Sequence, residues 1–327
     1  MSVKLSAHLE HWQLAQPFRI AGKEWRMSPA LVVELEQEGV VGRGEGQGVF
    51  YLGETAESML AAVGGVAARI ESGISREELL EVLPPGGARN AIDCALWDLQ
   101  AKREGRTIWE LTGIEPRAVT TVYTIGIEPT PEAMAGKAAA AEQYPVLKIK
   151  LDADRPVERL TAIRGARPDA RLVADANQAW TPALLEEVLP ACRELGLDML
   201  EQPLPRDDDE ALADLDSPVT LAADESCLHS GELEMAASRY GMVNIKLDKT
   251  GGLTEALRLA HGARERGLQL MVGNMVGTSL AMAPSFVIAQ LCDFVDIDGP
   301  LLLKHDRPGG LSYRGGIVDV FAPSLWG

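Results

Sequence analysis

From residue 119 onward the chain repeats one unit: a short apolar run, a helical stretch, then another apolar run. The runs are VTTVYTIGI (119–127), VLKIKL (146–151), RLVADA (171–176), DMLEQP (198–203), VTLAADES (219–226), MVNIKLD (242–248), LQLMVG (268–273) and FVDIDG (294–299). Each has the length of a strand, and successive runs lie one βα unit apart. A parallel sheet wrapped by helices is the arrangement that buries them. Eight such strands close into a (β/α) barrel. A doubly wound open sheet is the alternative, but it would prefer a Gly-rich first turn, and no G-x-G-x-x-G follows a strand here.

With 327 residues the chain has room for a smaller domain beside the barrel. Residues 3–14 and 30–36 read as strands, and GVVGRGEG supplies turn glycines, so an antiparallel meander is expected. A helical region follows at 54–82. Then comes RNAIDCALWDLQAKREG, with Ile92, Ala95, Leu96 and Leu99 at helical spacing and Gly105 placed to cap the helix. The Gly- and Pro-rich segment 300–327 is expected to return to the first domain. The division is thus 1–115 with 300–327, and 116–299 for the barrel.

Composition excludes several classes. Acidic residues number 48 against 31 basic, a net of −17, which argues against affinity for nucleic acid or anionic membranes. Cys94, Cys192, Cys227 and Cys292 form no Cys-x-x-Cys pair and read as buried thiols. The uncharged stretch from Leu268 to Cys292 is interrupted by Gly273, Asn274, Gly277, Pro284 and Gln290, which suits a strand, a loop and a packed helix. MSVKLSAHLEHW has no signal-peptide core, so a cytoplasmic location is expected. Oligomeric state is open, with a homo-oligomer allowed.

Barrel active sites form at the C-terminal ends of strands. Asp175, Glu201 and Asp224 end the third, fourth and fifth runs, 26 and 23 residues apart. One such acid could cap a helix; three in consecutive units converge on one rim. Their mutual repulsion calls for a hard dication, and all-oxygen ligation favours Mg²⁺, with Mn²⁺ as the alternative. Lys148 and Lys150, two apart, share one face of the second strand, and Lys246 ends the sixth. Strands 2 and 6 face each other across an eight-membered ring, with the metal strands between. A substrate carboxylate on the metal then places its α-carbon between Lys150 and Lys246, the geometry of a two-base epimerisation. A lysine base must be neutral, and neighbouring positive charge should lower its pKa. Asp296 and Asp298, again two apart, lie across the ring from strand 4 and suit a cation at the far end of the substrate, as in a dipeptide.

These residues resemble the enolase superfamily, muconate-lactonizing subgroup, over almost the whole chain. The resemblance rests on K-x-K at 148–150, D-A-N at 175–177, E-Q-P at 201–203, D-E-S at 224–226, N-I-K-L-D-K-T-G-G at 244–252 and A-L-W-D-L at 95–99. It implies an α/β fold: a modified (β/α)₇β TIM-like barrel with an α+β capping domain. D-I-D at 296–298 resembles the dipeptide epimerase signature, in which the Asp pair holds the substrate ammonium. By the same resemblance Lys150 acts on the (R)-epimer and Lys246 on the (S)-epimer, and Lys148 contacts the carboxylate on one Mg²⁺ per subunit. Thr124 and the stretch Asn274, Met275 and Val276 match substrate contacts. L-Ala-D/L-Glu epimerases carry an Arg in a mobile loop near residues 20–26. Here IAGKEWRM puts Lys23 at that place, with Trp25 and Arg26 close by. The implied activity is interconversion of L-Ala-L-Glu and L-Ala-D-Glu or related dipeptides, in murein peptide recycling. The same barrel also serves o-succinylbenzoate synthases and muconate-type cycloisomerases, whose substrates lack an ammonium. A non-catalytic metal-dependent binding protein would not need bases on both faces.

Overall fold

The computed structural model describes residues 2–327. The chain opens with a three-stranded antiparallel sheet, β1 (Lys4–Ile20), β2 (Lys23–Gln37) and β3 (Val40–Gly46). The expected loop at 20–26 is mostly strand: Ile20 pairs with Lys23, leaving Ala21 and Gly22 as the turn. The reason is a cross-strand pair, Phe18 opposite Trp25, whose rings lie 6.4 Å apart and extend the hairpin past its expected end.

The glycines of GVVGRGEG divide their work. Gly39 turns the chain together with Glu38, both at positive φ, as a two-residue hairpin loop requires. Gly42, Gly44 and Gly46 are strand residues on one face of β3. A Cβ on any of them would collide with the backbone of α3 (Gly87–Glu104) at Ala95, Ala91 or Gly87. Their absent side chains let that helix lie directly on the sheet. Ahead of α3 run α1 (Ala56–Glu71) and α2 (Arg76–Val82), started by capping boxes at Thr55 and Ser75 and separated at Gly73, φ +91°. Gly105, left-handed, ends α3 before the short α4 (Ile108–Thr112).

Eight parallel strands follow in unbroken spatial order. They are β5 (Tyr123–Ile125), β6 (Val146–Lys150), β7 (Arg171–Asp175), β8 (Leu197–Glu201), β9 (Thr220–Ala223), β10 (Met242–Ile245), β11 (Gln269–Val272) and β12 (Phe294–Val295). The N–H of Val122 donates to the carbonyl of Val295 at 2.8 Å and so brings the two edges together. Outside run α5 (Pro131–Ala140), α6 (Pro156–Ala166), α7 (Pro182–Glu194), α8 (Leu233–Arg239), α9 (Leu247–Thr250), α10 (Leu253–Glu265) and α11 (Ser279–Ala289), then α12 (Gly299–Leu302) after the last strand. The apolar stretch near 280 is α11, and no helix among the described residues is long and apolar enough to cross a membrane.

The terminal segment packs on the first sheet and its helix. A hairpin of β13 (Tyr313–Arg314) and β14 (Ile317–Val318) pairs with β4 (Val119–Thr120). Trp326 is fully buried, and its indole donates to the carbonyls of Arg43 and Cys94, both at 3.1 Å.

Candidate active site

Period-two alternation sorts the inward residues of the barrel into layers. The lowest layer takes one apolar side chain from each strand segment: Val122, Val146, Val173, Met199, Ala222, Met242, Met271 and Phe294 form one buried cluster. It plugs the barrel. Two residues further along each strand the character inverts, to Lys148, Asp175, Glu201, Asp224, Asn244 and Asp296, all buried. Gly273 continues β11 in this layer. A Cβ there would lie 2.9 Å from Cε of Lys246, so the glycine leaves the lysine its space.

Asp175, Glu201 and Asp224 each offer a carboxylate oxygen within 4.8 Å of the others. Opposite oxygens around a six-coordinate dication are separated by about 4–5 Å, so the cluster has the right span. Glu201 Oε2 and Asp224 Oδ1 are buried without an aligned hydrogen bond, although each faces an ammonium at 2.7 Å. Three buried oxygens with lone pairs to give, and no nitrogen or sulfur beside them, fit a hard cation.

The lysines flank this cluster. Lys150 Nζ is 2.5 Å from Asp175 Oδ2 and Lys246 Nζ is 2.6 Å from Asp224 Oδ2. They approach from opposite ends of the carboxylate arc. Lys148 sits between the acid sets, 2.7 Å from Glu201, 3.3 Å from Asp175 and 2.8 Å from Asp296. Burial pushes the Glu201 carboxyl up, and Asp175 adds to that. Burial also opposes ionisation of Asp175 and Asp224, but Lys150 and Lys148 hold the first low, and Lys246 and Lys249 the second. Opposing effects act on Lys148 and Lys246. Burial disfavours both ammoniums, yet Asp296 and Glu201 hold Lys148 up, and Asp224 and Glu201 hold Lys246 up. At these distances the carboxylates outweigh lysine–lysine repulsion.

The second acid pair lies across the ring and is joined to the first set through Lys148. Asn274 Nδ2 donates to the Asp296 carbonyl at 2.8 Å and to its carboxylate at 3.1 Å. Asp298 Oδ2 accepts from the Thr124 N–H at 2.7 Å, and burial beside Asp296 pushes its carboxyl up to about 7.

Above the carboxylates opens a cavity of about 460 Å³. Lys150, Lys246 and Asp224 reach it from the barrel, along with Asn274, Met275 and Val276, while Phe18, Lys23, Trp25 and Phe50 come from the first domain. Lys148, Thr124, Asp296 and Asp298 lie outside its lining. Trp25 packs edge-on against Phe50 with centroids 5.0 Å apart. The Lys23 ammonium stands 4.0 Å from the Phe50 centroid and 4.9 Å from that of Trp25. Arg19 and Arg26 both bind Glu24, which keeps that acid away from Lys23 and Arg26 outside the cavity.

Three residues escaped the sequence reading. Lys249 is buried, donates to the carbonyls of Asn244 and Cys227 at 2.8 and 3.0 Å, and lies 2.7 Å from Asp224 Oδ1. Its spacing of three from Lys246 was visible, but the turn that folds it beneath Asp224 was not. Asn244 donates to Glu201 at 2.6 Å, two places before Lys246 on the same strand face. Glu225 also lines the cavity, and burial next to Asp224 pushes its carboxyl up to about 8.

Comparison with known proteins gives this geometry a lineage. Residues 2–113 match the family described as mandelate racemase / muconate lactonizing enzyme, N-terminal domain, and residues 132–320 match the one described as enolase C-terminal domain-like. The chain is 44% identical over 314 residues to the L-Ala-D/L-Glu epimerase of Escherichia coli (strain K12), covering 95% of this chain and 98% of that one. It is also 44% identical over 252 residues to an N-acetyl-D-glutamate racemase of a Pseudoalteromonas species, covering 76% and 79%. Among solved structures, an enolase family member from Agrobacterium tumefaciens with homology to dipeptide epimerases superposes with a TM-score of 0.96 at 41% identity. That match covers 99% of this chain and 100% of the other, which holds sodium and L-Ala-L-Glu.

Proposed function

The chain belongs to the mandelate racemase / muconate lactonizing enzyme family of the enolase superfamily and is an isomerase; on that premise we propose that it epimerises dipeptides with an acidic second residue, L-Ala-L-Glu to L-Ala-D-Glu above all. The observation that carries the reading is one cavity with Lys150 and Lys246 at its floor and the Lys23 ammonium at its mouth. A C-terminal Glu carries its α-carboxylate on the α-carbon and its side-chain carboxylate two methylenes further out, so the deep end of the cavity suits the first and Lys23 the second.

Asp175, Glu201 and Asp224 are the residues to hold Mg²⁺. When bound there, the ion supplies electrostatic stabilisation to the substrate carboxylate as charge develops on it. Lys148 adds a second positive contact to the same carboxylate. From L-Ala-L-Glu, the (S)-epimer, Lys246 takes the α-proton and Lys150 returns one to the opposite face, so the configuration inverts; the reverse reaction exchanges their roles. Asp296 and Asp298, oriented by Asn274 and the Thr124 N–H, bind the substrate ammonium. Met275 and Val276 line the peptide's path, and Lys23 meets the γ-carboxylate. Lysine makes a point contact where arginine would make a fork, so this subsite discriminates by charge more than by shape. A cytoplasmic place in murein peptide recycling accords with an L-Ala-Glu substrate.

A racemase acting on N-acetylglutamate would share the acidic side chain but not the ammonium. The Asp296–Asp298 pair therefore favours the dipeptide. Incubation in D₂O with Mg²⁺ and either L-Ala-L-Glu or N-acetyl-L-Glu decides between them. The dipeptide is expected to gain one deuteron at the Glu α-carbon. Exchange of the N-acetyl compound alone would reassign the substrate, and exchange of neither would sink the proposal.

A further inference from the structure

The fourth βα unit lacks an α-helix. After β8 the chain runs as a loop with one 3₁₀ turn, Glu210–Asp214, before β9. That loop carries Asp209, which is fully buried. Its carboxylate accepts from the Tyr240 and Ser226 hydroxyls, both at 2.6 Å, and pairs with Arg239. The same two hydroxyl oxygens accept from Gln202 Nε2, at 3.0 and 2.8 Å.

Gln202 follows Glu201 directly. Its Oε1 accepts from the backbone N–H groups of Asp224 and Ser226, both at 3.0 Å. Its own N–H donates to the Ala222 carbonyl at 2.9 Å, and its carbonyl accepts from the Gln178 N–H at 2.8 Å. Its φ is +34°, on the left-handed side that a side chain resists. A buried amide in a strained backbone, every polar group bonded and its Oε1 and N–H both tied to the β9 end that leads to Asp224, fixes that end against the one bearing Glu201.

We propose that Gln202, backed by Tyr240 and Asp209, is a positioning residue that sets the spacing of the Glu201 and Asp224 carboxylates and thereby the site's affinity for a divalent cation. The inference rests on the metal reading above. Gln202 touches neither ion nor substrate and acts through the main chain of Asp224. Gln202→Leu keeps most of the volume but leaves two buried N–H groups without an acceptor. Tyr240→Phe removes only the hydroxyl between Asp209 and Gln202.

The test is titration of the metal-free full-length protein with Mn²⁺ followed by electron paramagnetic resonance, and with Mg²⁺ by calorimetry. Gln202→Leu is expected to raise Kd at least tenfold and Tyr240→Phe severalfold, with turnover recovering as Mg²⁺ is raised. A role confined to stability would lower Tm and leave Kd alone. Wild-type Kd in folded Gln202→Leu overturns the proposal. Should that variant not fold, wild-type Kd in Tyr240→Phe overturns it. A wild-type chain that binds neither ion fails earlier, at the metal centre itself.

Discussion

Lys23 brings a positive charge to the cavity mouth and, among the described residues, joins no carboxylate in an ion pair, because the neighbouring Glu24 is taken by Arg19 and Arg26. An ammonium over two rings with no counter-charge is placed to receive an anionic side chain. Replacing it with methionine should raise KM for L-Ala-L-Glu about tenfold, about 1.4 kcal/mol, and change kcat little. KM for a dipeptide with an apolar second residue should move much less. Equal KM changes for both peptides would remove Lys23 from the specificity pocket. Deeper in the site, Lys150→Ala and Lys246→Ala should each abolish epimerisation. Each should leave deuterium exchange only from the epimer its remaining lysine faces. Full epimerase turnover in both variants would end the two-base proposal.

At the scale of elements, α3 decides how the first domain meets the barrel. One face lies on the glycines of β3. Another sends Asp93 to the start of α10, where it accepts from the Thr254 N–H at 3.0 Å and hydroxyl at 2.6 Å. Burial outweighs these bonds and pushes the Asp93 carboxyl up to about 6. Between the unfolded pKa of about 3.9 and the folded value, the folded state holds the extra proton, so stability falls as pH rises through this window. The loss is complete above the folded pKa and amounts to roughly 3 kcal/mol. Asp93→Asn keeps an acceptor for Thr254 and cannot ionise. Urea unfolding at pH 5 and pH 7.5 should therefore show wild type losing stability relative to the variant as pH rises. Parallel behaviour would show that the buried charge is stabilised by something other than Thr254 and the nearby Arg76 and Arg89.

For the whole molecule, the terminal segment fastens the domains to each other. Arg307 reaches from it to Glu10 and Glu45 in the first sheet, at 2.6 and 2.8 Å, and to the Thr278 hydroxyl beside the barrel at 2.7 Å. Trp326 fills the space between Arg43 and Cys94, and the Gly327 N–H donates to Asp98 at 2.7 Å. Trp326→Ala should cost about 3–5 kcal/mol through the cavity it leaves and its two lost hydrogen bonds. Chemical denaturation would read this directly, and a loss below about 1 kcal/mol would mean that the segment only drapes over the surface.

Spacing along the chain determined which strands exist, their order, and which residues alternate inward. From that alone Asp175, Glu201 and Asp224 could be set on adjacent strands with Lys150 and Lys246 on either side, because in a closed parallel barrel sequence order is spatial order. Three things waited for the tertiary structure. The hairpin arm continued through the expected 20–26 loop because Phe18 and Trp25 found each other across strands, a contact outside any local pattern. The strand glycines 42, 44 and 46 could be told from turn glycines only once α3 lay on them. The surroundings of the lysines were the third: carboxylates from other strands stand within 3 Å of Lys246 and Lys148, and a Coulomb interaction at that range depends on where side chains end rather than on where they sit in the chain.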